Sequence, residues 1–442
     1  MQRYRNFEST NTGDAITILH APSFEVSSVD HRVWRSPFYW SYEAAGEGLS
    51  RSEPGFSTAS LLGRFDVNPR LLLPVHLDGW SFRPEISLRD TLYTQQLEAN
   101  SGVGLAVSTP INRRALEASV ELRPPAVSRI FAGEFLRRQW KHVIEPRAIY
   151  RYVTGVDNFD DILRFDERDV LANTSEVEYA VVNRLYAKLK SGHPEDCGKP
   201  GMPSLFVGGA AAPSRVPWER PSQPTEAACN NGPQVREILT WELAQKYFLD
   251  PTFGGALTPG RSNVFANTVD LTGVSFLTDA RHLSPLISRL RFQSSARTDV
   301  EWDVDYDFKH DLVNASTVIA NFRAGPFTVG GGDAYLQVPG ETMGSSFIFA
   351  PRLFNQFRLL LGYGHANKEG LSVATNVGFD AKLGFLQYAA VQTNYNWDCC
   401  GVSMEFRRFA LGSVRNENQY RFTFALANLG ALGNLRRNEK LF

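Results

Sequence analysis

The sequence predicts an all-β protein, a large antiparallel transmembrane β-barrel, and three observations carry that expectation. Apolar and polar residues alternate with period two over many short runs, the mark of strands with one wet face and one greasy face. Aromatic residues gather at the ends of such runs, at Trp34, Phe38, Tyr39 and Trp40, at Trp140, and at Tyr395 and Trp397, where interfacial girdles place them. A unit of strand plus turn recurs about every 20 residues along nearly the whole chain, as spanning strands of ~9–11 residues with connections require. That spacing gives roughly 18–22 strands, and such a number encloses a lumen too wide for side chains to fill.

Early strands are read at 61–67, 81–92, 103–108, 116–122, 143–152, 177–190 and 235–247. Helical spacing competes only around Val177, Ala180, Val181, Arg184 and Leu185, where a strand remains the better reading. The clearest run is Glu301-Trp302-Asp303-Val304-Asp305-Tyr306-Asp307-Phe308-Lys309, charged at every odd position and apolar at every even one. Glu301, Asp303, Asp305, Asp307 and Lys309 therefore read as a lumenal charge stripe rather than a metal triad. The pattern returns at Phe357, Leu359, Leu361 and Tyr363, at Leu371, Val373, Thr375, Val377 and Phe379, and at Tyr420, Phe422, Phe424 and Leu426.

Composition excludes other classes. The 442 residues carry 46 Lys+Arg against 47 Asp+Glu, which fits neither an acidic disordered tail nor a nucleic-acid binder driven by bulk charge. No stretch approaches the ~20 apolar residues of a helical span. The N-terminus has no apolar core of a signal peptide, which alone reads as cytoplasmic or as a missing true start.

Eight of the 24 prolines fall between Pro194 and Pro233, so 191–234 reads as a long extracellular loop within a barrel domain of residues 1–430, followed by a tail at 431–442. Cys197 and Cys229 bracket that loop and are expected to pair with each other in an oxidising compartment, the alternative being two reduced thiols. Cys399 and Cys400 are adjacent, a strained geometry for bonding to each other, and call for partners elsewhere.

Catalytic constellations fail on inspection. Asp157, Asp160, Asp161, Asp166, Glu167 and Asp169 lack the spacing of a calcium loop and read as a solvated loop. His142 with Glu145 is a lone H-x-x-E, and Gly330, Gly331 and Gly332 read as a turn between strands. No enzyme site, cofactor or metal is expected.

Several stretches taken in order resemble the lipopolysaccharide-assembly outer-membrane protein family LptD, also called OstA or Imp. They are 13–24, Gly48-Leu49-Ser50-Arg51-Ser52-Glu53-Pro54-Gly55-Phe56, 141–147, Arg164-Phe165-Asp166-Glu167-Arg168-Asp169, 173–179, 183–185, 245–248, Ser284-Pro285 and 301–307, with Cys399-Cys400 completing the match. The resemblance implies a large barrel preceded by a periplasmic jellyroll, with an LptE-like lipoprotein plug inside and periplasmic transport-bridge proteins delivering lipopolysaccharide through the N-terminal domain. It implies disulfides from Cys399 and Cys400 to that domain, and a lateral gate whose last strand carries Tyr420, Phe422, Phe424 and Leu426. Outer-membrane lipid is the implied surroundings, and the missing leader, jellyroll and earliest barrel strands then mean that the chain is the C-terminal part of a longer protein, its barrel incomplete at the N-terminal side. A diffusion channel or receptor barrel, or a secreted β-sandwich that binds carbohydrate, is the alternative from other classes.

Overall fold

The computed structural model describes residues 2–6, 16–188 and 235–433, apart from 54–55, 59–60, 99–104, 136–137, 167, 261–262, 267–276, 296, 339–340, 344–345, 350–351, 365–368, 381–383, 398–399, 411–415 and 427–429. The expected loop with Cys197 and Cys229, Cys399 and residues from 434 onward lie outside the described residues.

The chain is all-β. Among the described residues one antiparallel sheet of 23 strands follows sequence order, each long strand pairing with the next. Arg138–Thr154 pairs with Thr174–Lys188, which pairs with Val235–Phe248, and the meander continues through Leu286–Ser295, Thr298–Asp307, Leu312–Ala324 and Phe327–Val338. Arg352–Tyr363, Gly370–Asp380, Phe385–Trp397, Cys400–Ala410 and Asn416–Leu426 complete it. Among the described residues the sheet does not close on itself: Gln2–Asn6 pairs with Ile16–Ser27 at one edge, and Gly430–Gly433 with Asn416–Leu426 at the other.

Antiparallel order sorts the connections into two ends. Three long connections, 94–110, 155–173 and 249–285, leave from one end, here called the loop end. The connections after Leu72, Ser295, Ala324 and Trp397 lie at the other, the turn end. Lys188 and Val235 pair directly at the turn end, so the segment between them starts and finishes on the same side as Cys400.

Polarity is inverted relative to a soluble sheet. In Leu62–Leu72, Arg64, Asp66 and Asn68 are at most 2% exposed, whereas Phe65 and Val67 are 55% and 48% exposed. The same alternation holds where Arg89 and Thr91 are buried beside exposed Leu88 and Leu92, and where Ser403 and Glu405 are buried beside exposed Met404. An apolar open face with a polar enclosed face is the arrangement of a membrane barrel. Aromatic side chains mark both ends of the apolar band. Trp40, Trp80, Trp140, Phe327, Tyr363, Tyr395 and Trp397 stand toward the turn end, and Tyr150, Tyr152, Tyr179 and Tyr247 toward the loop end.

Two details depart from the sequence expectation or from regular pairing. Gly330, Gly331 and Gly332 are not a turn: they sit inside Phe327–Val338, opposite Asn321, Ala320 and Ile319. A Cβ on Gly330 would run into the Asn321 side chain, and one on Gly332 into the Val318 carbonyl, so the missing side chains let these strands approach. Between Leu62–Leu72 and Trp80–Tyr93 the ladder is continuous in register but skips residues 68 and 69, because Pro69 has no N–H to donate.

The inversion has a direct test. Leu359→Arg, on the outer face between Gly331 and Val377, should cost about 2–4 kcal/mol of folding free energy in lipid vesicles. Urea titration followed by heat-modifiable gel mobility should show that loss and a much smaller one for Asn376→Ser on the inner face.

Candidate functional site

The enclosed face of the sheet is the candidate site, and its chemistry changes along the meander. From Tyr39–Glu53 to Thr298–Asp307 it is lined by paired charges. Arg70 meets Glu43 at 2.7 Å, Arg147 meets Glu178 at 3.0 Å, and Arg184 meets Glu145 at 3.0 Å and Glu237 at 3.2 Å. The fully enclosed Lys246 ammonium lies 3.1 Å from Glu176 and 3.6 Å from Glu178. Paired charges suit this position because a lone buried charge is far more costly than a matched one.

Beyond Leu312–Ala324 the same face turns to amides and hydroxyls. Asn321, Asn376, Gln387, Gln392, Asn394 and Ser372 are all buried. Gln356 donates to Gln387 at 2.7 Å, Gln387 to Asp380 at 2.5 Å, and Gln392 to Asn394 at 3.2 Å.

The loop end is closed over the charged arc by the connection 155–173. Its local shape comes from its own acids: Asp169 Oδ2 accepts from Phe165 N at 2.8 Å, and Asp166 Oδ1 from Arg168 N at 2.9 Å. Arg64, buried on the strand wall, then grips it. The guanidinium donates to Asp166 at 2.8 and 2.5 Å, to Asp169 at 2.8 Å and to Glu47 on the neighbouring strand at 3.2 Å. Tyr93 donates to Asp169 at 2.7 Å, and Arg168 reaches back to Glu47 at 3.2 Å and Glu25 at 3.1 Å. Ile162, Leu163 and Phe165 pack with Leu49, Leu62 and Tyr93 beneath this cluster.

The connection 249–285 packs on its neighbour. Phe253, Leu257, Phe265 and Leu277 join Val156, Phe159, Leu171 and Ala172 in a second apolar cluster. Gly155, at φ +94°, makes the exit from the strand: a Cβ there would stand 2.7 Å from the Arg114 carbonyl. Asn173 braces the same corner, accepting from Val156 N at 2.8 Å and donating to Val156 O at 3.0 Å.

The sequence reading of this loop as solvated holds for exposed Asp157 and Asp160 and is corrected for Asp166 and Asp169. Asp169 is fully enclosed and Asp166 is ion-paired, because a guanidinium on the wall supplies the charge that would otherwise come from water. Arg64, Glu47 and Tyr93 were not singled out from sequence, and Arg168 entered only as part of the quoted stretch 164–169. The signal available was Arg64 and Asp66 alternating with Phe65 and Val67, together with the acid-rich motif 164–169.

The other sequence-predicted residues are placed as follows. Glu301, Asp303, Asp305 and Asp307 lie on one face of Thr298–Asp307, opposite to exposed Trp302. Asp307 accepts from Arg281 at 2.9 Å, and Glu301 lies 3.4 Å from Arg291. Lys309 stands beyond the strand, in the turn, paired with Asp279. Tyr420, Phe422 and Phe424 share the outer face of Asn416–Leu426, and Leu426 is in register with Cys400. Cys400, half-buried, opens its strand opposite Trp397.

An antiparallel sheet with an ion-paired and amide-lined inner face and an apolar outer face is the wall of an outer-membrane β-barrel. Residues 1–190 of the 442 match the sequence model of LptD, LPS transport system D, so that stretch is similar to this family. No curated protein matches the chain. Among solved structures it is similar to the FpvAI–pyocin S2 complex at 8% identity, covering 93% of this chain and 57% of that one, with TM-score 0.34. The siderophore receptor PirA from Acinetobacter baumannii gives 10% identity, 96% and 73% coverage and TM-score 0.30. The copper transporter OprC gives 8%, 96%, 67% and 0.31.

Loss of the Arg64 guanidinium takes from enclosed Asp169 and half-buried Asp166 the cation that both contact directly, so Arg64→Met should destabilise the docked loop by about 3–5 kcal/mol. Burial pushes the Asp166 carboxyl up, but the Arg64 hydrogen bond and charge, with Arg168, hold it below the usual carboxylate range. A depressed folded value means that the stabilisation is complete above the unfolded value of ~3.9 and is lost as pH falls through the folded one. Limited proteolysis between 155 and 173 should therefore accelerate at strongly acid pH in the native protein, and already at neutral pH in Arg64→Met.

Proposed function

We propose that this chain forms the barrel wall of a lipopolysaccharide transporter in the outer membrane of Gram-negative bacteria, and that it delivers lipopolysaccharide to the outer leaflet through a laterally opening seam. The observation that carries the reading is the inverted polarity of the sheet, joined to the LptD match over 1–190. A polar inner face solvates sugars and phosphates. Acyl chains need an apolar route, so passage between the two environments calls for a seam in the wall, with no catalytic step.

In this reading residues 1–430 are the barrel domain, and Asn416–Leu426, with Tyr420, Phe422, Phe424 and Leu426, forms one lip of the seam. An LptE-like lipoprotein plugs the lumen, and periplasmic bridge proteins hand over the substrate through an N-terminal domain. The loop end, capped by 155–173 and 249–285, faces outward. The turn end then faces the periplasm and brings Cys399 and Cys400 within reach of that domain's cysteines. The Pro-rich segment 191–234, which leaves and re-enters the sheet at the turn end, belongs on the periplasmic side and not on the extracellular side expected from sequence.

The full-length protein should partition with the outer membrane and co-purify with an LptE-like lipoprotein, whereas a soluble protein without such a partner would overturn the reading. Non-reducing peptide mapping should join Cys399 or Cys400 to an N-terminal peptide, and a Cys197 to Cys399 link would contradict the assignment of both pairs.

A further inference from the structure

The two ends of the sheet carry opposite charge. At the loop end the connections 94–110, 155–173 and 249–285 hold ten Asp and Glu against four Arg, whereas at the turn end the hairpins 28–38 and 126–142 hold six Arg and Lys against two acids. Cations of the second hairpin stand on the lipid side of the wall. In Arg138–Thr154 the even positions face outward, since Tyr150 and Tyr152 are exposed while Val143 and Val153 are buried. Trp140 and His142 therefore face outward, and so do Phe131 and Arg129, their direct cross-strand partners. In the first hairpin Trp40 lies opposite outward-facing Leu71, and His31 lies opposite Trp40 with the rings 6.0 Å apart.

Depth follows from strand geometry. Trp140 and Tyr150 are ten residues apart on one strand, which at ~3.3 Å per residue and a tilt of ~40° spans ~25 Å, the full height of the apolar band. Exposed Arg129 leans over Phe131, 5.5 Å from its ring centre, which carries the guanidinium to the level of Trp140 at the edge of the band. The tip of the first hairpin reaches ~8 Å past His31 and Trp40, into the headgroup zone. Arg32 folds that tip by donating to the carbonyls of Ser36 at 2.8 Å and Arg35 at 3.3 Å. It leaves Trp34 at φ +49° and 96% exposed, beside exposed Arg35. A left-handed backbone is costly for so bulky a residue, and water offers an indole no apolar contact in return. No described carboxylate pairs with Arg32, Arg35 or Arg129.

We propose that these two hairpins form a collar that binds anionic phospholipid headgroups in the leaflet at the turn end. The guanidinium groups of Arg129 and Arg35 donate to headgroup phosphates, which their fork matches bidentately. Trp34, Phe131 and Trp140 sit where the headgroups meet the acyl chains, a zone that suits an apolar ring with a polar edge. The donors are exposed, stand at headgroup depth and lie on or beyond the face that lipid surrounds, which favours a lipid over a protein as the occupant. The acidic loop end would repel the same headgroups. The proposal rests on the transporter reading only for which leaflet is meant: the turn end then meets the phospholipid leaflet and not the one that receives lipopolysaccharide.

The test uses the full-length protein in nanodiscs of equal phosphatidylglycerol and phosphatidylethanolamine, with the lipids retained on release counted by native mass spectrometry. The native protein should retain phosphatidylglycerol in preference, and less so as the ammonium acetate concentration rises. Arg129→Gln and Arg35→Gln should each lower that preference about fivefold, and Arg129→Lys, which keeps the charge, should lower it less. Arg114→Gln, at an exposed outward site at the loop end 3.4 Å from Asp90, should leave it unchanged. Heat-modifiable mobility should be native in all four variants, because each site is exposed. An unchanged preference in Arg129→Gln, or an equal loss in Arg114→Gln, would overturn the proposal. So would retained phosphatidylglycerol with loss of a co-purifying protein, which would assign the collar to that partner. A protein that keeps the Arg129-dependent preference but moves no lipopolysaccharide would overturn the transporter reading and leave the collar standing.

Discussion

Backbone hydrogen bonding without water is the constraint from which the rest of this structure follows. A strand whose outer side chains lie in hydrocarbon has no solvent to satisfy its N–H and C=O groups, so neighbouring strands must supply every partner. The meander does this over runs of ten or more residues, such as the fifteen in Thr174–Lys188. Because side chains alternate across such a ladder, fixing the apolar set outside forces the remaining half inward, whatever its charge. The inner wall is thus polar by geometry, and its matched acids and bases make that burial tolerable. Pro69 shows the rule by exception. Where the N–H is missing the ladder skips, and the nearby inner atoms Asn68 Oδ1 and Arg89 Nη1 are left without partners.

The loop end solves a different problem. Arg64 and Asp166 are 102 positions apart in sequence, and ordering the connection between Thr154 and Thr174 carries a conformational-entropy cost that a polar surface loop does not offset. Two terms oppose it here. Apolar residues 162, 163 and 165 bury against the wall, and the guanidinium supplies several charge-assisted hydrogen bonds in a fixed fork that lysine could not reproduce. The second connection adds its aromatic side chains on top, with Phe253 and Phe265 stacked at 4.2 Å. Closure therefore depends on contacts between segments that are distant in the chain.

That distinction decides how much was legible in the sequence. Strand identity and the facing of each side chain follow from local period-two alternation, so the strands around 61–67, 81–92, 143–152 and 235–247 and the single face shared by Asp303, Asp305 and Asp307 could be read directly. The Arg64 cluster could not, since nothing local says that residue 64 meets residues 166 and 169. An acidic loop looks solvated until its counter-charge is located. Glycines mislead in the same way: three in succession suggest a turn, and only the neighbouring Asn321 side chain and Val318 carbonyl explain why a strand carries them. That Lys188 and Val235 pair at the same end of the sheet as Cys400 was also hidden, because it depends on counting strand reversals.

The division of the inner wall into an ion-paired arc and an amide arc sets the electrical landscape inside the barrel. Opposite charges about 3 Å apart, as in Arg147 with Glu178, act at a distance as small dipoles whose potential decays within a few ångströms, faster than the ~8 Å screening length of physiological salt. The amide arc carries fewer charges, among them Asp380 and the Glu405–Arg407 pair. A charged group placed against the ion-paired arc therefore feels the nearest pair far more than the sum of the wall.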